Sequence, residues 1–440
     1  MRRQFSCLIV GACLLVLAVS VHAQAPPLSA ARSTGVLKDA AAPTTSPATV
    51  MPPAEADAAD PAEQPGMRQW FGSDLRWTDW SRMTGDWDRL RTALERAGLT
   101  ISVDNTTDVS RLALGAVRRR TSGRALTLFG LGMDLDRLAG LAGAEMFVQY
   151  QTWRGVSGAD DAGDLQGFSN IDTEPFGRFY EVWFQQTFPG SVRVKVGRID
   201  ANTEFAAVEN AAEFLNSSMG YSPTICDLPT YPDPHLSVVV QYDPESGVYG
   251  GGGVFNGGPA AGVADFGALF AIGQVGVRWA RWGGGRVGAG YWQTTLRGPA
   301  AALPDAVRGT NGQFLVLDQT LWADDKAANP RRVSAFFQAG KADPRVSVLG
   351  RHIGAGVVAS GVVPGRSRDA VGLGVTTAKV GLIADPVGAP GQELAVDLFY
   401  KFQVTGWFSV KPDIQTIVSP GGDRSRRTAL AATIRLDIGF

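Results

Sequence analysis

The chain has 440 residues and a mass of 46.6 kDa, which is enough for two or three ordinary domains or for one large β-barrel. Its 41 Lys and Arg residues against 42 Asp and Glu residues give a formal net charge of -1, so no basic surplus indicates nucleic acid as a partner. Charged residues make up 19% of the chain and the mean hydropathy is -0.01, which excludes both a disordered chain and a bundle of membrane helices.

The first predicted element is a signal peptide over residues 1–23. Two arginines precede an apolar run at residues 5–21, and small residues follow, with a cleavage site after Ala23 or Ala25. The alternative is an uncleaved anchor helix, although about 17 apolar residues barely reach the length of a bilayer span. Cleavage removes two of the three cysteines, which leaves no internal disulfide and no cysteine metal site.

Residues 24–69 form the next predicted unit. They are rich in Ala, Pro, Ser and Thr and contain no aromatic residue, which predicts a disordered linker. An N-terminal segment over 70–98 then carries a short helix, because four apolar residues share one face at helical spacing. We expect Thr84 to cap this helix and Gly98 to end it.

From Leu99 onward the hydrophobic period is two residues, which indicates strands. In the last segment, for example, Ile434 and Leu436 fall on one face, and Arg435 and Asp437 fall on the other. This pattern fits either a sandwich with one wet face or a membrane barrel with a polar lumen. The segments run to roughly 9–13 residues, as in tilted spanning strands, whereas soluble strands average about 5–6.

The number of such segments also favours the barrel. We count roughly sixteen, an even number, as in bacterial outer-membrane barrels. Their starts lie near Leu99, Arg124, Ala144, Gly177, Ser191, His235, Gly247, Ala268, Arg286, Gly312, Arg331, Arg351, Ala370, Gln392, Gly406 and Thr428. The chain also ends on an aromatic residue, Phe440, at the tip of its last strand. The sequence therefore predicts an all-β transmembrane antiparallel barrel over 99–440.

Five blocks in order carry a resemblance to a known family. They are "MTGDWDRLRTALERAGLTISVDNTTDV" at 83–109, "FGLGMDLDRLAGLAGAEMFVQY" at 129–150, the segment 178–225 with "GRIDANTEF" and "FLNSSMG", "VVPGRSRDAVGLGV" at 362–375 and "LFYKFQVTGWFSVKPDIQTIVSPGG" at 398–422. The series resembles the carbohydrate-selective porin family of the OprB type over about residues 80–440. Asp88 and Arg89 depart from it, since the family usually has Gly-Gly there. The resemblance implies an outer-membrane barrel for passive sugar uptake in a Gram-negative bacterium.

Strand parity predicts which side chains face the lumen. A sugar-selective channel needs aromatic platforms and charged hydrogen-bonding groups that each hold the solute weakly enough to release it. The candidates on strands are Glu181, Trp183, Arg193, Lys195, Arg332, Asp397, Lys401, Trp407, Lys411, Asp413 and Arg435. The plain alternative for each is an ordinary solvated lumen residue. A tight hairpin at "FPG" should bring Glu181 and Trp183 close to Arg193 and Lys195.

The segment from Asp200 to Pro232 is the best candidate for a constriction folded into the lumen. It far exceeds a typical connection, and long loops in compact folds are usually functional. Its sugar-compatible side chains include Asp200, Asn202 and Glu204. The alternative is a simple surface loop. Aromatic residues near strand ends are expected to form an interfacial girdle, namely Tyr150, Trp153, Trp279, Trp282, Trp292 and Trp322.

Three functional classes stay open at this point: a sugar-selective porin, a less selective or anion-preferring porin, and a barrel enzyme. The enzyme is least favoured, because only His235 and His352 could serve as a histidine base after signal cleavage. We predict no catalytic residue, no metal and no cofactor. The expected partners are small sugars, outer-membrane lipid and the barrel-assembly machinery, which would meet the C-terminal strand ending in Phe440. The expected location is the cell outer membrane.

Overall fold

The computed structural model describes residues 75–225, 234–257, 268–297, 308–324, 331–344, 347–381 and 391–440. The predicted signal peptide and linker, and the end of the long segment that starts at Asp200, lie outside the described residues. The chain forms one closed barrel of sixteen antiparallel strands in sequence order. Strand β1 pairs with both β2 and β16, which confirms the predicted fold class and the even strand number.

The strands are β1 (Leu99–Leu114), β2 (Thr121–Asp134), β3 (Ala144–Gly155), β4 (Phe176–Phe188), β5 (Val192–Ile199), β6 (His235–Tyr242), β7 (Gly247–Asn256), β8 (Leu269–Trp279), β9 (Gly285–Arg297), β10 (Arg308–Asp324), β11 (Arg331–Ala342), β12 (Leu349–Ser360), β13 (Ala370–Val380), β14 (Gln392–Gln403), β15 (Phe408–Val418) and β16 (Ala429–Gly439). The predicted starts agree closely. The largest difference falls at β10, which begins at Arg308 rather than Gly312.

Short helices occupy the connections. Among the residues that the structure describes, the α-helices are α1 (Leu90–Arg96), α2 (Leu135–Ala139), α3 (Ala159–Ala162) and α4 (Ser217–Gly220). Single turns of 3-10 helix lie at Trp77–Asp79, Ala201–Thr203, Glu209–Ala211, Arg281–Gly283 and Pro420–Gly422. Within the described ranges, no helix has the length and apolar character that a membrane crossing requires.

Helix α1 begins later than the sequence predicts. Residues 87–89 have φ values between 51° and 70°, a left-handed conformation that breaks a helix begun at Thr84. Helix α1 therefore starts at Leu90, and Asp86 accepts hydrogen bonds from the backbone N–H of Thr92 (2.8 Å) and from its hydroxyl (2.9 Å). The prediction of Thr84 as the cap was wrong.

The two faces of the wall differ as the two-residue period predicts. Leu373, Ile414 and Ile434 on the outer face are 51–55% exposed, as side chains that meet lipid should be. Two members of the expected girdle, Trp153 and Trp292, are instead buried on the inner face. The indole N–H of Trp153 donates to the carbonyl of Ile171 (2.6 Å), so strand parity outweighed the general preference of Trp for interfaces.

Loop length distinguishes the two ends of the barrel. Tight turns at 189–191 and 243–246 join strands at one end, whereas 156–175 and 200–234 are long connections at the other. Spanning barrels have short periplasmic turns and longer extracellular loops. The long-loop end is therefore extracellular, and the end that carries Phe440 is periplasmic.

The N-terminal segment closes on the periplasmic end. The rings of Trp77 and Trp407 lie 4.5 Å apart between centroids, and the indole N–H of Trp407 donates to the Trp77 carbonyl (3.1 Å). The backbone N–H of Met83 donates to Gly439 (2.8 Å), and that of Phe440 donates to Val103 (2.8 Å). Trp407, a candidate lumen platform, thus precedes β15 and is covered by the N-terminal segment.

Replacing Arg91 with Ala should destabilise the closed barrel. The buried Arg91 guanidinium donates to Thr84 Oγ1 (3.2 Å) and to the main-chain oxygen of Phe440 (3.2 Å), so it joins α1 to the last residue. We expect a loss of roughly 1–3 kcal/mol, as for hydrogen bonds from a charged group. Gel mobility after stepwise heating measures it. The exposed Arg96 on the same helix is the control, and equal loss in Arg96→Ala would contradict this role.

Candidate pore constriction

Two extracellular loops fold into the lumen. Loop A comprises residues 156–175, and loop B comprises 200–234, of which the structure describes 200–225 and 234. The loops contact each other through two backbone hydrogen bonds, from the N–H of Asn170 to Leu215 (2.7 Å) and from the N–H of Ser217 to Gly167 (2.8 Å). Because they join inside the barrel, the lumen is narrowed by both. The sequence predicts loop B and misses loop A.

Loop B packs against the inner wall through apolar side chains. The Phe214 ring contacts the rings of Phe399 (5.0 Å between centroids) and Phe336 (5.5 Å), both edge-on. The same buried cluster takes in loop residues Phe205, Val208, Met219, Tyr221 and Ile225 and wall residues Phe255, Phe270, Trp292 and Phe314. One side of the lumen is therefore packed like a core.

Phe214 fits against the wall because residue 374 on β13 is a glycine. A Cβ at Gly374 would lie 2.9 Å from both Met219 Sδ and Phe214 Cε1. Real Cβ atoms essentially never approach another heavy atom so closely. Loop B therefore rests directly on the backbone of β13.

A first ionic cluster joins loop B to β5. Glu204 of the loop lies 2.8 Å from the Arg193 guanidinium and 2.5 Å from the Lys195 ammonium. The Arg193 side chain is 27% exposed, whereas those of Lys195 and Glu204 are almost completely buried. Burial raises the pKa of Glu204, but Lys195 and Arg193 more than offset this and hold it below its usual range. Both cations, predicted on the inward parity of β5, contact the same carboxylate of loop B.

Trp183 and Glu181 support this cluster from β4. The Lys195 ammonium lies 4.1 Å from the centroid of the Trp183 ring, which is 7% exposed and so has no free face for a solute. The Glu181 carboxylate accepts a hydrogen bond from the backbone N–H of Asp200 (3.0 Å). Asp200 in turn accepts from the backbone N–H of Asn202 (2.8 Å) and fixes the first turn of loop B. These candidates are thus brought together as predicted, mainly as loop anchors.

A second ionic cluster lies across the lumen. Glu213 of loop B lies 2.6 Å from the Lys401 ammonium on β14 and 2.6 Å from the Lys411 ammonium on β15. The side chains of Glu213 and Lys401 are 33% and 22% exposed, so both keep contact with water. Burial raises the pKa of Glu213, but Lys411 and Lys401 outweigh it and lower the pKa well below its ordinary value.

Two further candidates beside this cluster are buried. Asp397 accepts a hydrogen bond from the backbone N–H of Asn216 in loop B (3.0 Å), and Asp413 accepts one from the amide of Gln415 (3.0 Å). The Asn216 side-chain amide donates to Gln415 (3.1 Å). Both carboxylates are at most 2% exposed. They hold the loop and its neighbours rather than face open water.

Loop A is held by a third cluster. Arg435 makes a two-pronged contact with Asp108 (2.7 and 2.8 Å) and donates to Asn170 of the loop (2.7 Å). Arg124 lies 2.7 Å from Asp172. Burial raises the pKa of Asp172 to about 6, although Arg124 partly offsets this. Arg435, predicted as a lumen residue, is thus buried in a loop contact.

A fourth cluster lies where loop B crosses β9 and β10. Arg286 contacts Asp318 (2.9 Å) and Glu209 of the loop (3.1 Å). Asp318 also accepts hydrogen bonds from the backbone N–H groups of Glu209 (3.2 Å) and Asn210 (2.8 Å). The sequence did not single out Arg286 or Asp318, although a charge on the inward parity of each strand was the available signal. Candidate Arg332 lies apart from all four clusters, exposed near the periplasmic end of β11.

The geometry defines a class of protein. A closed antiparallel barrel with an apolar outer face encloses a charged lumen, which long loops narrow from the extracellular side. This is the architecture of an outer-membrane channel. In the part of the chain that the structure describes, no group of three or more His, Cys, Asp or Glu side chains could hold a metal ion.

Comparison with known proteins names the family. The model of the carbohydrate-selective porin family, OprB, matches residues 120–440, so the chain belongs to that family. Porin B of Pseudomonas aeruginosa is 24% identical over 432 aligned residues, which cover 84% of this chain and 92% of that protein. Family and fold together place the protein in the Gram-negative outer membrane.

Solved structures share the fold. The high-pH structure of Pseudomonas putida OprB has a TM-score of 0.74 and 21% identity, covering 83% of this chain and 100% of that one. A Salmonella typhi OmpF complex with daunomycin is more distant, with a TM-score of 0.53 and 9% identity over 79% of this chain and 99% of that one. At such identities the likeness shows the barrel fold.

Replacing Gly374 with Ala should displace loop B and raise open-channel conductance. The new Cβ would overlap Met219 and Phe214, and overpacking of this kind costs about 1–3 kcal/mol. Single-channel recording in planar bilayers measures the change. Gly132→Ala on β2 is the matched control, since the nearest atom to its Cβ would lie at 3.6 Å. Unchanged conductance in Gly374→Ala would show that loop B does not narrow the pore.

Replacing Glu213 with Gln should lower heat stability at neutral pH, because Lys401 and Lys411 lose their shared carboxylate. Because the pKa of Glu213 is lowered in the folded state, its carboxylate contributes its full stabilisation at pH values above 4.5, the ordinary pKa of a glutamate. This stabilisation is lost as the pH falls below 4.5 towards the lowered folded pKa. The difference between wild type and variant should therefore stay constant from pH 7 to 5 and shrink in stronger acid, as measured by heated gel mobility.

The exposed turn residue Glu245 supplies the control for this pH series. Glu245→Gln should match the wild type at every pH, since the residue lies at the periplasmic end away from the loops. If the difference in heat stability between wild type and Glu213→Gln grew in acid, the ion pairs of Glu213 with Lys401 and Lys411 would not be its source.

Proposed function

We propose that the protein allows passive, carbohydrate-selective diffusion of small sugars through the water-filled passage that loops A and B leave along the wall. One observation carries this proposal. In the first two clusters the side chains of Lys195, Glu204 and Lys411 are almost completely buried. The other three, Arg193, Lys401 and Glu213, remain partly exposed. These exposed groups are the proposed solute contacts at the constriction.

The chemistry of these groups suits a neutral polyol. A sugar hydroxyl both donates and accepts hydrogen bonds, and the exposed groups offer N–H donors beside carboxylate oxygens. Each exposed group already has a partner of opposite charge, so it binds a solute less tightly than an isolated charge would. Weak binding at several sites allows entry and release, as conduction requires.

The second candidate function is a less selective or anion-preferring porin. Its support is specific: each of the first two clusters sets two cations against one carboxylate. Reversal potential in a salt gradient separates the two functions. A strong anion preference without sugar block favours the second candidate, and sugar block with weak ion preference favours the first.

We also propose roles for the outer face of the barrel, the last strand, the N-terminal residues 1–69 and the remaining site candidates. We propose that the apolar outer rows contact outer-membrane lipid and that the strand ending in Phe440 meets the assembly machinery. Residues 1–23 and 24–69, outside the described ranges, are proposed as a cleaved signal peptide and a linker. Asp200 and Asn202 are proposed to shape the constriction as anchors, with Arg332 contributing charge at the periplasmic mouth.

Replacing Arg193 or Lys401 with Gln should weaken the block of ion current by glucose or maltose by about tenfold each, the worth of one charged hydrogen bond. Open-channel conductance should persist, because Glu204 keeps Lys195 and Glu213 keeps Lys411 as the partners that hold loop B. Planar-bilayer recording of purified protein with a panel of sugars measures both quantities. Arg96→Gln, outside the lumen, is the charge-matched control.

Trp183→Ala separates two roles for the aromatic ring. If the ring supports Lys195, as its burial indicates, the loss of sugar block should be smaller than in Arg193→Gln. A loss at least as large would instead make Trp183 a stacking platform. Sugar block that persisted unchanged in Arg193→Gln and Lys401→Gln would contradict the proposed solute contacts.

A further inference from the structure

Three cations stand side by side on the outer wall, near the extracellular ends of β11, β12 and β13. Lys341 is the register partner of Arg351, and Arg351 is the register partner of Lys379. All three side chains are exposed. They point outwards, because the alternate residues His352 and Ala378 on the same strands are buried on the inner face.

The three like charges in this row repel one another. Residues directly opposite each other in a sheet have Cβ atoms about 5 Å apart, and like charges in that position destabilise the pairing. Within the described ranges, none of the three cations makes an ion pair. The next register partner of Lys379 is the uncharged Gln392. A counter-anion from outside the chain would remove the repulsion.

The surface below the row is apolar. Ile353, Val375 and Leu373 face outwards on the same strands and are 51%, 43% and 55% exposed. A cation is costly at the middle of a bilayer and tolerated near its surface. The three cations therefore lie at the level of the outer-leaflet headgroups, and the apolar band lies at the level of the acyl chains.

We propose that Lys341, Arg351 and Lys379 bind the phosphate group of an anionic glycolipid of the outer leaflet. The central guanidinium offers a planar pair of N–H donors to two phosphate oxygens, and the flanking ammonium groups add point charges on either side. The acyl chains would lie along Ile353, Val375 and Leu373. The site is on the opposite face of the wall from the lumen, so it is independent of the solute that the channel conducts.

The test measures heat stabilisation of the purified barrel in detergent as diphosphoryl lipid A is added. The variant K341Q/R351Q/K379Q should require at least about tenfold more lipid A for the same stabilisation. The variant R96Q/R281Q/R368Q removes the same charge from exposed periplasmic positions and should behave as wild type. Equal affinity in the row variant, or equal loss in the control variant, would overturn the proposal.

Arg351→Glu separates binding from folding. A carboxylate between the two lysines would pair with both, so without lipid A the barrel should be at least as heat-stable as wild type. Stabilisation by lipid A should nevertheless be lost. Persistence of that stabilisation would overturn the proposal, whatever the fate of the triple variant.

Two ligand arms identify what the row recognises. Dephosphorylated lipid A should stabilise wild type no better than it stabilises K341Q/R351Q/K379Q, because the phosphate carries the contact. Inorganic phosphate alone should stabilise far less than diphosphoryl lipid A. Equal effects of phosphorylated and dephosphorylated lipid, or of inorganic phosphate and lipid A, would overturn a glycolipid phosphate site.

Discussion

The hydrogen-bonding demand of backbone inside the barrel governs this structure. Loops A and B leave bulk water, and their buried N–H groups need acceptors there. Wall side chains supply them: Glu393 accepts from the N–H groups of Leu165 and Gln166, and Asp318 accepts from two consecutive residues of loop B. The charged side chains on the inner face of the strands therefore largely determine the conformation of the two loops that form the constriction.

Much of the fold follows from the sequence, because a two-residue period needs only local information. The same period predicts Arg193, Lys195 and Arg435 on the inner face, and all three contact residues of the infolded loops. It could not reveal their partners, since the contact of Arg435 with Asp108 joins the last strand to the first. Such pairs depend on barrel closure and on the paths of the loops, neither of which leaves a local pattern.

The lumen also differs from a uniformly wet channel. On one side Phe214 and Met219 pack into an aromatic wall, and on the others charged clusters hold the loops. For each candidate of inward parity on a strand, an ordinary solvated lumen residue is only the alternative prediction. Phe336 and Phe399 belong to that parity too, and their apolar character was the available sign that part of the lumen is filled by protein.

The contact of the N-terminal segment with the last strand has a consequence for the order of events in biogenesis. Arg91 reaches the main-chain oxygen of Phe440, and Met83 reaches Gly439, so these contacts join residues nearly the whole chain apart. They cannot form until β16 has joined β1. The part of the described chain that is synthesised first is therefore among the last to settle, and it can dock fully only on a barrel that has closed.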